Sequence, residues 1–182
     1  LMASKIKVDQ LETADGSGTI ALQNQLSGMT TASLPTLTGT EMPTGSTLQV
    51  VSSVNAANTS TNSTSYQATT LQASITPSST SSKILVQVVG FAFSNGSATH
   101  CVGTIYRGSH ELSDGVSHGL GDFYSASGAY SEFWMPMQYL DSPNTTSATT
   151  YKVYIRRDGS NQNVGFGSTA RQSVMVLTEI KG

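Results

Sequence analysis

Charge is scarce in this sequence. Lys and Arg number 9 and Asp and Glu 11, so charged residues make up 11% of the chain. That is less than half of the usual quarter. Helix surfaces are normally laced with Glu, Lys and Arg, so the scarcity argues against a helical protein. The formal net charge is −2, and only Arg156 and Arg157 are adjacent basic residues. Without a basic stripe to release counterions from a phosphate backbone, nucleic acid is not expected as a partner. Long apolar runs are missing too: nothing approaches the ~18 consecutive apolar residues of a membrane span, so no membrane insertion is expected. The stretch Leu1-Met2-Ala3-Ser4-Lys5-Ile6-Lys7 lacks the apolar core of a signal peptide. The single Cys101 has no partner for an intrachain disulfide, so nothing marks an oxidising compartment.

Small hydroxyl residues fill the space that charge leaves. The chain has 28 Ser and 24 Thr among 182 residues. Thr suits the pleated face of a strand, and Ser, Asn and Gly suit corners. Intrinsic disorder is the competing reading of such a composition. It usually requires high net charge and few aromatic or β-branched residues, whereas dense apolar runs follow one another here after residue 80. The length fits one ordinary domain plus some extra chain.

Three parts follow from the pattern along the chain. Residues 1–26 form an N-terminal arm. Lys5-Ile6-Lys7-Val8 alternates like a half-buried strand, Asp15-Gly16-Ser17-Gly18 is a turn, and Thr19-Ile20-Ala21-Leu22 gives a second short strand. A two-stranded hairpin is marginal alone, so Ile6, Val8, Leu11, Ile20 and Leu22 are expected to anchor against another chain. Residues 27–46, with Pro35 and Pro43, form an extended linker. Residues 47–182 read as about eight strands separated by turns, at the spacing of an antiparallel β-sandwich of jelly-roll type.

Within that domain, Leu48–Val54 is the first strand and Ser52–Ser65 a low-complexity loop. Tyr66–Thr76 holds one or two strands, and Lys83–Ser94 is the central one. Asn95-Gly96 reads as a hairpin turn into His100–Tyr106, and Asp158-Gly159 as another hairpin turn. Pro136 marks Glu132–Leu140 as an edge or bulged strand. Thr150–Arg157 alternates cleanly, with Tyr151, Val153 and Ile155 on one face, and Gln172–Ile180 closes the domain.

No catalytic motif survives inspection. His110-Glu111 begins like a zincin motif, but position 114 is Asp114. His100, Cys101, His110 and His118 fit no zinc spacing. The expectation is one strand histidine, one buried thiol and two loop histidines, with no metal, no cofactor and no enzymatic activity. Asp122, Glu132 and Asp141 are far apart in sequence, although glycosidases assemble acid pairs from distant strands. The aromatic stretch Phe123, Tyr124, Tyr130 and Trp134 offers candidate subunit or ligand contacts. Phe133 and Trp134 are adjacent and must face opposite sides of a strand, so one belongs to the core.

The opening Ser4-Lys5-Ile6-Lys7-Val8-Asp9-Gln10-Leu11-Glu12-Thr13-Ala14-Asp15-Gly16-Ser17-Gly18-Thr19-Ile20 resembles the N-terminal segment shared by structural and fibre proteins of tailed bacteriophages, marine and cyanobacterial ones especially. There the segment looks like an adaptor to the virion. Ile75-Thr76-Pro77-Ser78-Ser79-Thr80-Ser81-Ser82-Lys83-Ile84-Leu85-Val86 is similar to the start of a recurrent small phage β-domain. So are Tyr106-Arg107-Gly108 and Tyr139-Leu140-Asp141-Ser142-Pro143. The resemblance implies a homotrimer on the virion exterior, made in the bacterial host cytoplasm and attached to other virion proteins through the arm. The chain is shorter than typical tail fibres and has no repetitive shaft. A short fibre or spike that adheres to the host surface and a host glycan, a capsid decoration protein, and a glycan depolymerase are the three readings, in that order.

Overall fold

Alternation along single strands sets the architecture. Tyr151, Val153 and Ile155 are buried, while Lys152, Tyr154 and Arg156 between them are partly exposed, as period-2 side-chain geometry requires. The structure, a computed structural model, describes residues 42–126, 128 and 130–182. The arm with Ile6, Val8, Leu11, Ile20 and Leu22, and the linker up to residue 41, lie outside the described residues.

Eleven strands and no helix occur among the described residues. They are β1 (Thr47–Asn55), β2 (Thr59–Thr61), β3 (Gln67–Ile75), β4 (Lys83–Ser94), β5 (Thr99–Arg107) and β6 (His110–Glu111). After these come β7 (Gly121–Ser125), β8 (Ser131–Asp141), β9 (Thr149–Gly159), β10 (Val164–Phe166) and β11 (Ser173–Ile180). All pairings between them are antiparallel. The first sheet runs β1-β11-β4-β8, and the short pair β2-β10 continues along β4 beyond β11. The second runs β3-β9-β5, with β6 and β7 sharing the far side of β5.

The inward faces of both sheets make one core, including Leu71, Ile84, Val86, Ile105, Ile155 and Leu177. Each such side chain contributes about 1.5–3 kcal/mol on full burial. Gly90 admits one close approach: a Cβ there would overlap the ring of Phe166 from β10. β8 pairs only with β4, so Pro136, opposite Val89, does lie on an edge strand.

Two expected hairpins are not hairpins. After Asn95-Gly96 the chain crosses from β4 in the first sheet to β5 in the second, and the two strands do not pair. Asp158 and Gly159 remain inside β9, paired with His100 and Thr99, and the chain crosses to the first sheet beyond them. A turn-forming dipeptide permits reversal but does not choose the sheet that receives the next strand. The expected low-complexity loop over Ser52–Ser65 also contains the end of β1 and all of β2.

Candidate functional site

The outer faces of the two sheets differ in chemistry. On the second sheet, the outward positions of β9 and β5 include Lys152, Tyr154, Arg156, Asp158, His100 and Tyr106. On the first sheet, Val50, Val54, Val89, Trp134 and Leu140 are exposed, and Trp134 leaves 49% of its surface in solvent. Pairing places them side by side with half-buried apolar residues. Val54 lies opposite Val174 and Val174 opposite Val89, while Leu85 lies opposite Leu140. The polar positions between them, Ser52, Gln87, Gln138 and Thr178, carry no charge. Charges stand at the ends of this face: Lys83 at one and Glu132 at the other, where Glu132 lies 3.4 Å from Arg171. An open hollow of about 460 Å³ near β4 and β8 has no titratable group in its lining, which includes Val89, Leu120, Pro136 and Gln138.

The four aromatic candidates separate. Trp134 faces outward and meets Phe91 edge to face at a ring separation of 5.9 Å. Tyr130 is exposed beside Phe93. Tyr124 is exposed and its ring lies 4.7 Å from that of His100. Phe123 points the other way, packing on Phe133 at 4.2 Å against the core. As a neighbour of Tyr124 on the same strand it must face the opposite side, where it is partly buried against the core.

A polar cluster surrounds Tyr124. His100 on β5 sits opposite Tyr124, and Asp122 on β7 lies two residues from Tyr124 on the same face, opposite Val102. The Nδ1 of His100 is 2.8 Å from Asp122 Oδ2, and the Nδ1 of His118 is 3.0 Å from the same oxygen. The His100 and His118 rings stand edge to face at 4.9 Å. One donor atom from each of the three residues falls within 4.8 Å of the others. His118 comes from the 112–120 loop, whose backbone is held on both sides of it. Arg156 donates to the Ser117 carbonyl, and Leu120 N–H donates to Gly103 O at 2.9 Å. Between them, Gly119 has φ +59°, and a Cβ there would overlap the Gly103 carbonyl oxygen, so the loop needs glycine at that place.

Sequence reasoning had the two histidines but not Asp122 as their partner. The four-residue spacing His118 to Asp122 was a visible signal; the match of β5 to β7 that adds His100 was not. Cys101, adjacent to His100, faces the core, and its thiol lies 3.6 Å from Gly165 O. Burial first, and then the charge of Asp122, push that thiol up to about 12. A group held so firmly protonated is a poor metal ligand or nucleophile. His110 is exposed on β6, where it pairs with Arg107 in the backbone ladder.

Two further polar clusters are interior. Asp141 on β8 accepts from Arg107 Nη1 at 2.7 Å and from the Tyr151 hydroxyl at 2.7 Å. Glu179 is fully buried, accepting from Gln49 Nε2 at 2.6 Å and from Ser78 N–H and Oγ at 2.7 and 2.6 Å. Every oxygen of these carboxylates is occupied by donors of the fold itself, which suits a fastening role rather than acid–base chemistry.

No protein-family model matches the chain, and no curated protein sequence matches it.

Proposed function

We propose that the chain is a virion surface protein of a tailed bacteriophage, a short fibre or spike that assembles as a homotrimer and adheres to the host surface. The carrying observation is the uncharged, apolar outer face of the β1-β11-β4-β8 sheet. Contiguous exposed apolar surface of this kind marks an interaction site on a soluble domain. Further copies of the same chain are its occupants in this reading. An uncharged face packs against a different face of the neighbouring copy without like-charge repulsion, as a three-fold ring requires, and the charges at its ends remain in solvent. Attachment by the N-terminal arm rests on the phage-like segment at residues 4–20.

The strand order supports the sandwich being a jelly roll: β1-β11-β4-β8 stands against β3-β9-β5-β7, and viral capsid and lectin domains share that architecture. Architecture does not assign function. The interior placement of Asp141 and Glu179 weighs against the depolymerase reading.

Native mass spectrometry of the full chain tests the assembly. The expected species is three times the 19.0 kDa chain, converted to monomer by Trp134→Lys combined with Val89→Asp. A folded wild-type monomer at high concentration would overturn the trimer. Copy number per virion then separates the readings of the assembled protein. One three-fold cluster per attachment point supports the fibre, and copies at every capsid three-fold position support decoration instead.

A further inference from the structure

We propose that His100, His118 and Asp122 form a binding site for a divalent metal ion of the zinc class, which clips the 112–120 loop to the β5–β7 edge. This site is separate from the apolar face and does not depend on the trimer.

Donor chemistry selects the ion. Two imidazole nitrogens and one carboxylate oxygen suit zinc and its neighbours, whereas calcium and magnesium prefer all-oxygen shells. The three donor atoms already converge, all lying within 4.8 Å of one another. Zinc holds nitrogen and oxygen ligands at about 2.0–2.2 Å, so ligand atoms on a tetrahedral ion stand roughly 3.3 Å apart. The two Nδ1 atoms lie 2.8 and 3.0 Å from Asp122 Oδ2. Opening each contact by a few tenths of an ångström admits the ion, and the rotation falls on side chains that are partly exposed.

The backbone needs no rearrangement. His100 and Asp122 are fixed by the β5–β7 ladder, and His118 is held between the Arg156–Ser117 and Leu120–Gly103 hydrogen bonds. Both histidines aim the same ring nitrogen at one carboxylate oxygen. A metal ion takes the place of the two contacts that converge on that oxygen. Three protein ligands leave a fourth coordination position facing solvent beside Tyr124, open to water or to a ligand oxygen.

The test is calorimetric titration of the chelator-stripped full chain with zinc chloride near neutral pH, with magnesium chloride as comparison. The expected result is saturable binding of one zinc per chain and no magnesium heat. Affinity should fall more than about tenfold in His118→Ala and in Asp122→Asn and stay unchanged in His110→Ala. His118 is half-exposed, so His118→Ala should melt like wild type in chelator. Hydrogen exchange supplies a second readout: zinc should slow the amides of residues 112–120 in wild type and not in Asp122→Asn. No saturable zinc binding, or affinity unchanged from wild type in His118→Ala and Asp122→Asn, would overturn the site and leave three side chains joined by ordinary hydrogen bonds.

Discussion

The Tyr151 hydroxyl donates to Asp141 Oδ2 across 2.7 Å, and the two residues belong to opposite sheets. Arg107, opposite Tyr151 on β5, joins the same carboxylate at 2.7 and 2.8 Å. The sandwich is thus fastened by a polar contact as well as by apolar burial. Burial, and then the neighbouring carboxylate, raise the Tyr151 pKa well above its ordinary value, so the phenol remains a donor. Tyr151→Phe removes one hydrogen bond to a charged acceptor and should cost about 1.5–3 kcal/mol. Asp141→Ala leaves both donors without their acceptor and should cost more, about 3–5 kcal/mol. Urea denaturation measures both, and equal stability of the two variants would count against this account.

Acid should weaken the fold through Glu179. Burial by itself raises the pKa of this carboxyl, but hydrogen bonds from the Ser78 hydroxyl and backbone N–H and from Gln49 outweigh it and leave the pKa lowered from 4.5. The folded state therefore favours the ionised form. Its contribution is fully present above the ordinary carboxyl range and is lost as pH falls through the lowered folded value. Glu179→Gln should cost about 1–3 kcal/mol at neutral pH and flatten the decline below pH 4.5. Denaturation midpoints of both chains, taken at a series of acidic pH values, decide it.

Cys101 should be silent in the folded chain. Its side chain is fully buried and its thiol is pushed up to about 12. A disulfide reagent should modify it only as fast as the domain opens, and rapid labelling under native conditions would contradict its placement. This is a kinetic probe of the β5–β9 region that needs no substitution.

Gly119→Ala should destabilise the chain by more than about 1 kcal/mol, because alanine meets both a left-handed backbone and the Gly103 carbonyl. The loss should show as faster amide exchange at 117–121. Gly90→Ala should be worse, since the Phe166 ring occupies the position of the added methyl and is itself buried. Thermal melts of the two variants give the order.

Strands announced themselves in the sequence where local pattern was strong. The apolar run Lys83–Ser94 is β4 to the residue, and alternation at Tyr151, Val153 and Ile155 gives the buried face of β9. What escaped was information carried between strands. Asn95-Gly96 and Asp158-Gly159 look the same whether the chain folds back or crosses to the other sheet, because the choice depends on distant ladders. β2 and β10 have three residues each, too few for a period. Asp122 belongs beside His100 only because β7 pairs with β5 in one particular alignment. Exposure of Trp134 was legible as one of two options, since Phe133 next to it had to face the other way.

The apolar outer face has a consequence for folding as well as for assembly. A strand with polar residues on one side is aligned by its own pattern, because a slip of one residue would bury them. On β4 that safeguard is thin: Ile84, Val86 and Val88 point inward, and on the outward side Leu85 and Val89 alternate with only Lys83 and Gln87 as polar residues. Sliding it by one place would exchange one apolar set largely for another. Alignment must then be written in residues that tolerate only one position. Gly90 beneath the Phe166 ring, Asp141 beneath Arg107 and Tyr151, and Glu179 among its donors are such residues. The few charges kept in the interior serve as index marks for a sheet whose hydrophobicity alone would not hold it in place.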